Sequence, residues 1–408
     1  MINKVELREK AISHLNIICS EIGERRVGSE KNRLATAYVK RILDELGWQT
    51  EATKLSVMDW KADGAKLTCN GECFEIFSSH YSLGCSSKGE LIAINTIGKL
   101  ERTYIKNKIL LLHGEIASEQ IAPKKFPFWN PQEHQHLVAV LEKGKPQALI
   151  CATERNPAVA GGVYPFPLFE DGDFDIPSVY MKDSEGEKLL VFAGQEVELI
   201  SKAERIPQTA YNIVGRNNVC AQTNEKIVIT AHIDTKIDTP GAIDNGTGVT
   251  VVLLLADLLK KNHCKYPVEL AIFNGEDYYS APGQVKYIEQ NSGKFGNILL
   301  NINIDGVGYK EEVSCFSPIN LPPIISDALH EVIHSRPELV EGLPWYQGDH
   351  SMFLQNGCPA IAVSSQWFIE NMECQEITHT PKDNLSIVNF ERVVECALGI
   401  MDLICKLP

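Results

Sequence analysis

Three apolar runs in this chain each end in side chains that can bind a metal or move a proton. Ile227–Thr230 leads into His232-Ile233-Asp234, Val268–Phe273 into Asn274-Gly275-Glu276-Asp277, and Ile298–Ile304 into Asp305-Gly306. Ten residues after Asp234, the glycine-rich stretch Gly241–Gly248 presents Asp244, and a later segment reads His379-Thr380-Pro381-Lys382-Asp383. In an extended segment residues i and i+2 point the same way, so Asp234 can hold or orient His232. Two histidines and several carboxylates, if they converge, are what a pair of divalent metals needs. Taken singly, each residue has a plainer reading. A strand-end Asp is usually a helix cap, a His before Pro a surface residue, and Glu276-Asp277 a solvated turn. The order singles the set out: three successive strand ends each deliver metal-type side chains.

The elements that must position these residues follow from the pattern of apolar residues. Continuous apolar runs are typical of strands buried on both faces, and helical segments separate them from about residue 206 to the end. This predicts an α/β fold with a mixed, mainly parallel sheet flanked by helices, whose ligands bind beyond the carboxyl ends of the strands. Residues 1–50 read as helical, with Leu34, Tyr38, Ile42 and Leu46 at i, i+4 spacing before Gly47. Between 51 and 205 the texture changes to short strand-like runs, among them Lys66–Thr68, Ile109–Leu112, Ala148–Cys151 and Ile176–Tyr180, with one helical stretch near 133–142. Asn70-Gly71, between Cys69 and Cys73, reads as a hairpin turn. The expectation is a discontinuous catalytic domain, 1–50 and 206–408, with a β-rich α+β domain inserted at 51–205.

Composition excludes some partners. Lys plus Arg number 39 against 53 Asp plus Glu, a net charge of −14, and no basic run offers a nucleic-acid surface. The opening MINKVELREKAISHL lacks an apolar signal-peptide core. The longest apolar run, Val249 to Leu259, is interrupted by Thr250 and Asp257 and is shorter than the ~20 residues of a spanning helix, so no membrane partner is expected. The 12 cysteines are scattered singly, as in reduced cytoplasmic proteins. Asn245-Gly246-Thr247 is formally a glycosylation sequon, but a glycan beside the candidate metals would block them.

His232-Ile233-Asp234, Gly241-Ala242-Ile243-Asp244-Asn245, Glu276-Asp277, Asn303-Ile304-Asp305-Gly306-Val307-Gly308 and His379 together resemble the ordered motifs of the co-catalytic zinc exopeptidases (clan MH). That group contains the bacterial leucyl aminopeptidases and the glutamate carboxypeptidases. Gly23 to Ser29, Gly348-Asp349-His350 and Gly357-Cys358-Pro359-Ala360 extend the resemblance over 1–50 and 206–408. Residues 51–205 more loosely resemble a protease-associated domain, through Asn107–Leu111, Gly144–Cys151 and Ile176–Val179. The resemblance implies two zinc ions per chain bridged by Asp244. His232 and Asp305 would complete one site and Asp277 and His379 the other, with Glu276 as general base. The implied activity is a metallo-aminopeptidase, a hydrolase releasing the N-terminal residue of short peptides. A carboxypeptidase or dipeptidase on the same scaffold, or a non-catalytic receptor-like binding protein, are the alternatives. Glutaminyl cyclases share the fold but use one zinc, against which the full ligand set argues. Two positions depart from the family: Glu276-Asp277 stands where Glu–Glu is usual, and Gly348 where Ser precedes Asp-His. Relatives often support the oxyanion with a Tyr, for which Tyr346 or Trp345 is the candidate.

A second motif competes. His330-Glu331-Val332-Ile333-His334 matches the H-E-x-x-H of helical zinc proteases. However, Ile325, Ala328, Leu329, Val332 and Ile333 form one apolar face and both histidines fall opposite, which predicts a surface helix. His134 and His136, outside every motif, are expected at the surface. Phe126-Pro127-Phe128-Trp129 reads as a loop anchor or a substrate-gating patch.

Overall fold

The structure is a computed structural model that describes residues 3–156, 162–217, 225–261 and 264–407. The chain forms two compact units, Met1–Val57 with Thr209–Pro408, and Met58–Gln208. It passes between them within two long paired strands, Gln49–Cys69 and Glu196–Asn217, rather than through loops.

In the discontinuous unit, four strands form the parallel core of the sheet: Val268–Phe273, Lys226–His232, Ile298–Ile304 and Ala360–Ser365, adjacent in that order. Their side chains are almost all buried, as the uninterrupted apolar runs require. The register pairs His232 with Phe273 and Thr230 with Asn303, so the three chemistry-bearing strands end at one level. Ile213–Asn217 adds antiparallel beside Val268–Phe273. Ser314–Ile319 runs antiparallel to Ala360–Ser365, and Leu339–Glu341 completes that edge in parallel to it.

Helices cover the sheet. Glu30–Glu45 starts where the Ser29 hydroxyl accepts the Asn32 amide and ends before Gly47, whose φ of +85° suits a glycine. Trp48 then donates its indole N–H to Ala256 O at 3.2 Å. Helix Thr247–Lys261 is buried from Thr247 to Leu259 and is the central core helix. The segment Ala242–Lys260 is long and apolar enough to cross a membrane, but 94% of it is buried within the protein. Phe390–Lys406 and Lys4–Leu15 pack against the same core.

The 58–208 unit has its own core and a sheet that is more regular than its sequence suggests. Cys85–Ile94, Ile109–Leu112, Ala148–Thr153 and Ser178–Lys182 are successive parallel neighbours rather than a set of hairpins. Full burial of Ile109–Leu112 and Ala148–Thr153 accounts for this, since strands covered on both faces favour parallel pairing. Glu196–Ser201 and Phe77–Ser78 add antiparallel strands at either side. The hairpin at Asn70-Gly71 forms, with φ of +50° and +87° at its two central residues. His134 is not a surface residue. Helix Gln132–Gly144 buries it, its Nδ1 accepts the Ala122 amide at 3.0 Å, and Trp129 packs edge-on against its ring. His136, one turn-face away, is exposed beside Glu101.

Candidate metal centre

His232 is the last residue of its strand, and its ring is held from below. Nδ1 lies 3.2 Å from the Asp234 main-chain oxygen and 3.7 Å from the Asp234 carboxylate. That carboxylate has a larger task. Its Oδ1 accepts the amides of Gly275 (2.7 Å) and Glu276 (3.3 Å), and its Oδ2 accepts that of Asp277 (3.0 Å). Asp234 therefore fixes the turn that delivers Glu276 and Asp277. Gly275 permits that turn, with φ of +114° and Pro282 Cδ only 2.5 Å from where a Cβ would stand.

Asp244 lies in a tight turn before helix Thr247–Lys261, and the Asp244–Asn245 peptide is cis. Asn245 is wholly buried: its Nδ2 donates to Ile304 O at 2.8 Å and its Oδ1 accepts the Gly248 amide at 3.0 Å. The sequon is therefore closed to a glycan.

The five expected ligands fall into two sets that share Asp244. His232 Nε2 stands 3.1 Å from Asp244 Oδ1 and 3.6 Å from Asp305 Oδ1. His379 Nε2 stands 3.1 Å from Asp244 Oδ2 and 3.0 Å from Asp277 Oδ1. Within each set the candidate ligand atoms all lie within 4.8 Å of one another, and Glu276 forms a third such group with His232 and Asp277. His232 Nε2 and Asp277 Oδ2 are buried without a hydrogen-bond partner. Buried polar atoms are rarely left so, and here they gather around common points instead of pairing. Imidazole nitrogens with carboxylate oxygens are a donor set suited to zinc and similar divalent ions, so the residues fit the metals. The shorter Asp277 still reaches His379 and Asp244.

Burial, with Asp277, Asp305 and Asp349 nearby, pushes the Glu276 carboxyl well above the usual range. Asp305 is raised by burial and by Asp244 and Asp277. Burial alone would lower both His232 and His379. The Asp305 carboxylate for the first, and Asp277 for the second, outweigh it, and both sit well above an ordinary histidine. Asp244 is held low despite its burial by the two imidazoles it faces. Carboxylates so crowded ionise together only when positive charge lies among them.

The Gly348-Asp349-His350 segment supports the cluster from the side. Asp349 is buried and raised to about 7, chiefly by desolvation, and its Oδ1 accepts Gln284 Nε2 at 2.7 Å. His350 is held neutral, lowered to about 4 by burial. Its Nδ1 accepts from Asn303 Nδ2 at 3.3 Å, which leaves Nε2–H to donate to Trp345 O at 2.8 Å. Gly348 has φ of +106°, and a Cβ there would sit 3.3 Å from Trp345 and 3.4 Å from Asn303, which accounts for glycine where Ser is usual. Tyr346 is 65% exposed and stands outside the cluster, whereas Trp345 packs on His350 with its indole N–H buried and unpaired. His330, Glu331 and His334 are exposed on helix Pro323–Ser335. His330 meets Glu341, Glu331 meets Lys406, and among the described residues none joins a metal-type group.

Besides Asp349, sequence reasoning left two residues without a role. Arg25 is fully buried and donates to Ile233 O (2.9 Å), Pro240 O (2.7 Å), Gly23 O (2.8 Å) and Gly241 O (2.9 Å). Asp383 accepts the amides of Ile243 and Asp244. Position within a motif was the only signal for either.

A mainly parallel sheet with His232, Asp277 and Asp305 beyond its strand ends, joined by Asp244 and His379 from two loops, is a donor arrangement suited to a pair of divalent metals. Residues 212–404, a little under half of the chain, match the model of Peptidase family M28. Aminopeptidase YwaD of Bacillus subtilis (strain 168) is 29% identical over 239 residues, covering 56% of this chain and 50% of that protein. The probable lipoprotein aminopeptidase LpqL of Mycobacterium tuberculosis is 24% identical over 296 residues, covering 69% and 55%. The chain thus matches about half the length of each relative. Among solved structures, the aminopeptidase from Aneurinibacillus sp. strain AM-1 shares the fold at a TM-score of 0.77 and 20% identity, covering 98% of this chain and 93% of that one.

Proposed function

We propose that the protein is a zinc-dependent aminopeptidase that holds two zinc ions per chain and removes the N-terminal residue of short peptides. The observation that carries this reading is the division of five ligand residues into two sets sharing Asp244. Asp244 would bridge the ions, His232 and Asp305 would hold one, and Asp277 and His379 the other. When bound, the metals acidify a water and polarise the scissile carbonyl. Glu276 takes a proton from the attacking water and returns it to the leaving amine, a role suited to a carboxyl whose proton affinity is raised. Asp234 keeps that carboxyl in place through the amides of the 275–277 turn.

The charges at the site support the aminopeptidase direction. A carboxypeptidase needs a free cation to read the substrate carboxylate. Arg25, the arginine joined to these loops, spends its N–H groups on main-chain oxygens. An acidic site instead suits the α-ammonium of a free N-terminus. Retention of every expected ligand favours catalysis over a receptor role. We further infer that residues 58–208 are a protease-associated-like domain and that the protein works in the cytoplasm. The latter is supported by eleven free cysteines among the described residues, six of them buried.

Metal analysis of the purified protein, with a panel of aminoacyl and N-blocked peptides, tests the reading. Two zinc ions and hydrolysis of free N-termini only are expected; turnover of N-blocked peptides from the carboxyl end would overturn it.

A further inference from the structure

We propose that Asp383 is a positioning residue for the bridging carboxylate: it clamps the main chain that carries Asp244 and ties it to the loop that carries His379. The inference rests on the two-zinc reading of the site, and it concerns a residue that touches no ligand atom.

Asp383 is wholly buried. Its Oδ1 accepts the Ile243 amide at 2.7 Å, its Oδ2 accepts the Asp244 amide at 3.0 Å, and its main-chain oxygen accepts the Ala242 amide at 3.3 Å. One residue thus takes three successive N–H groups of the turn. The other side of that turn is held by Arg25, which donates to Pro240 O and Gly241 O. Gly241, at φ +60°, leaves no room for slack, since a Cβ there would lie 2.2 Å from Thr235 Cγ2 and 2.6 Å from Asp244 O. Cation on the carbonyls and carboxylate on the amides fix the turn from both ends.

Asp383 also follows His379 by four residues, and its own amide closes that loop onto Thr380 O at 3.1 Å. His379 reaches Asp244 through its ring and Asp383 reaches it through the backbone, so one loop grips one turn twice. Both oxygens of the carboxylate are needed as acceptors. An amide in their place would turn an NH₂ group toward one of the two N–H donors.

The test is Asp383→Asn, read by chelator competition for zinc and by amide exchange at Ile243 and Asp244 in the metal-free protein. Zinc affinity should fall about 10–100-fold, the usual cost of losing a residue that orients a ligand, and both amides should exchange faster. Asp383→Glu keeps two acceptor oxygens and should recover part of both losses, and it carries the same test should the Asn variant not fold. Unchanged zinc affinity and unchanged protection would overturn the clamp. A lower melting temperature with zinc affinity intact would also overturn it, leaving a purely structural role. A parent protein that binds no zinc, with exchange still accelerated in the variant, would remove the two-zinc reading and keep the clamp.

Discussion

Glu276 and Glu331 both sit in sequences that a metallopeptidase could use, and their surroundings separate them. Glu331 is exposed, paired to Lys406 at 2.8 Å and held below the usual range by that contact. Glu276 is pushed well above it by burial and neighbouring acids. Glu276→Gln should lower kcat by about 10²–10⁴-fold, the typical contribution of a general base, while Glu331→Gln leaves kcat and KM as they are. A steady-state comparison on one aminoacyl substrate decides this, and the reverse result would move the site to the surface helix. His232, Asp277 and Asp305 were readable because each follows an apolar run, where chain order alone implies convergence, and Asp244 and His379 were readable from the motifs around them. Asp349, Asp383 and Arg25 were not, because their partners lie 65, 140 and 208 residues away in sequence. His134 misled for the same reason: the Ala122 amide that claims it is outside its helix.

At the scale of elements, uninterrupted apolar runs announced the parallel strands, and Gly47 announced a helix end. Pairing direction was harder to read. In 58–208 the runs are short and separated by long connections, so nothing local distinguishes a hairpin from a crossover. Ser314–Ile319 likewise enters antiparallel, with Pro318 in an edge region that no periodicity marks. Arg25 binds the N-terminal segment to both ends of the 233–241 loop at once. Arg25→Met should therefore cost on the order of 3–5 kcal/mol, since several buried carbonyls lose their donor together. Urea unfolding of the metal-free protein measures it, and Arg25→Lys should recover only part, having fewer donors in a less fixed geometry. A loss below 1 kcal/mol would show that water replaces the guanidinium.

For the whole molecule, stability in acid depends on groups far from the metals as well as near them. Burial, together with Lys10 and Arg41, lowers His14 to about 4, while Tyr38 Oη lies 2.7 Å from its Nδ1. A histidine depressed on folding takes up its proton more readily when unfolded. Its contribution is therefore complete above pH 6.5 and is lost as pH falls toward 4. Asp349 and Asp383, raised to about 7, act in the opposite sense over the same window, so the histidine term must be read by difference. His14→Gln should gain on the parent by roughly 2 kcal/mol between pH 7 and pH 4. Chemical denaturation at both pH values measures the gain, and a difference that does not change with pH would rule the effect out. The division of the molecule also has a consequence in time. Arg25 cannot meet Ile233 until 208 more residues have been made, a wait of about 10–40 s at common synthesis rates. During it the helices before residue 58 expose apolar faces with nothing to cover them, whereas residues 58–208 already hold a complete core. The middle of the chain can thus close its core before the outer parts are complete, and its paired end strands shorten the loop that the two outer parts must close. A nascent chain halted before residue 225 would be half folded and half a client for chaperones.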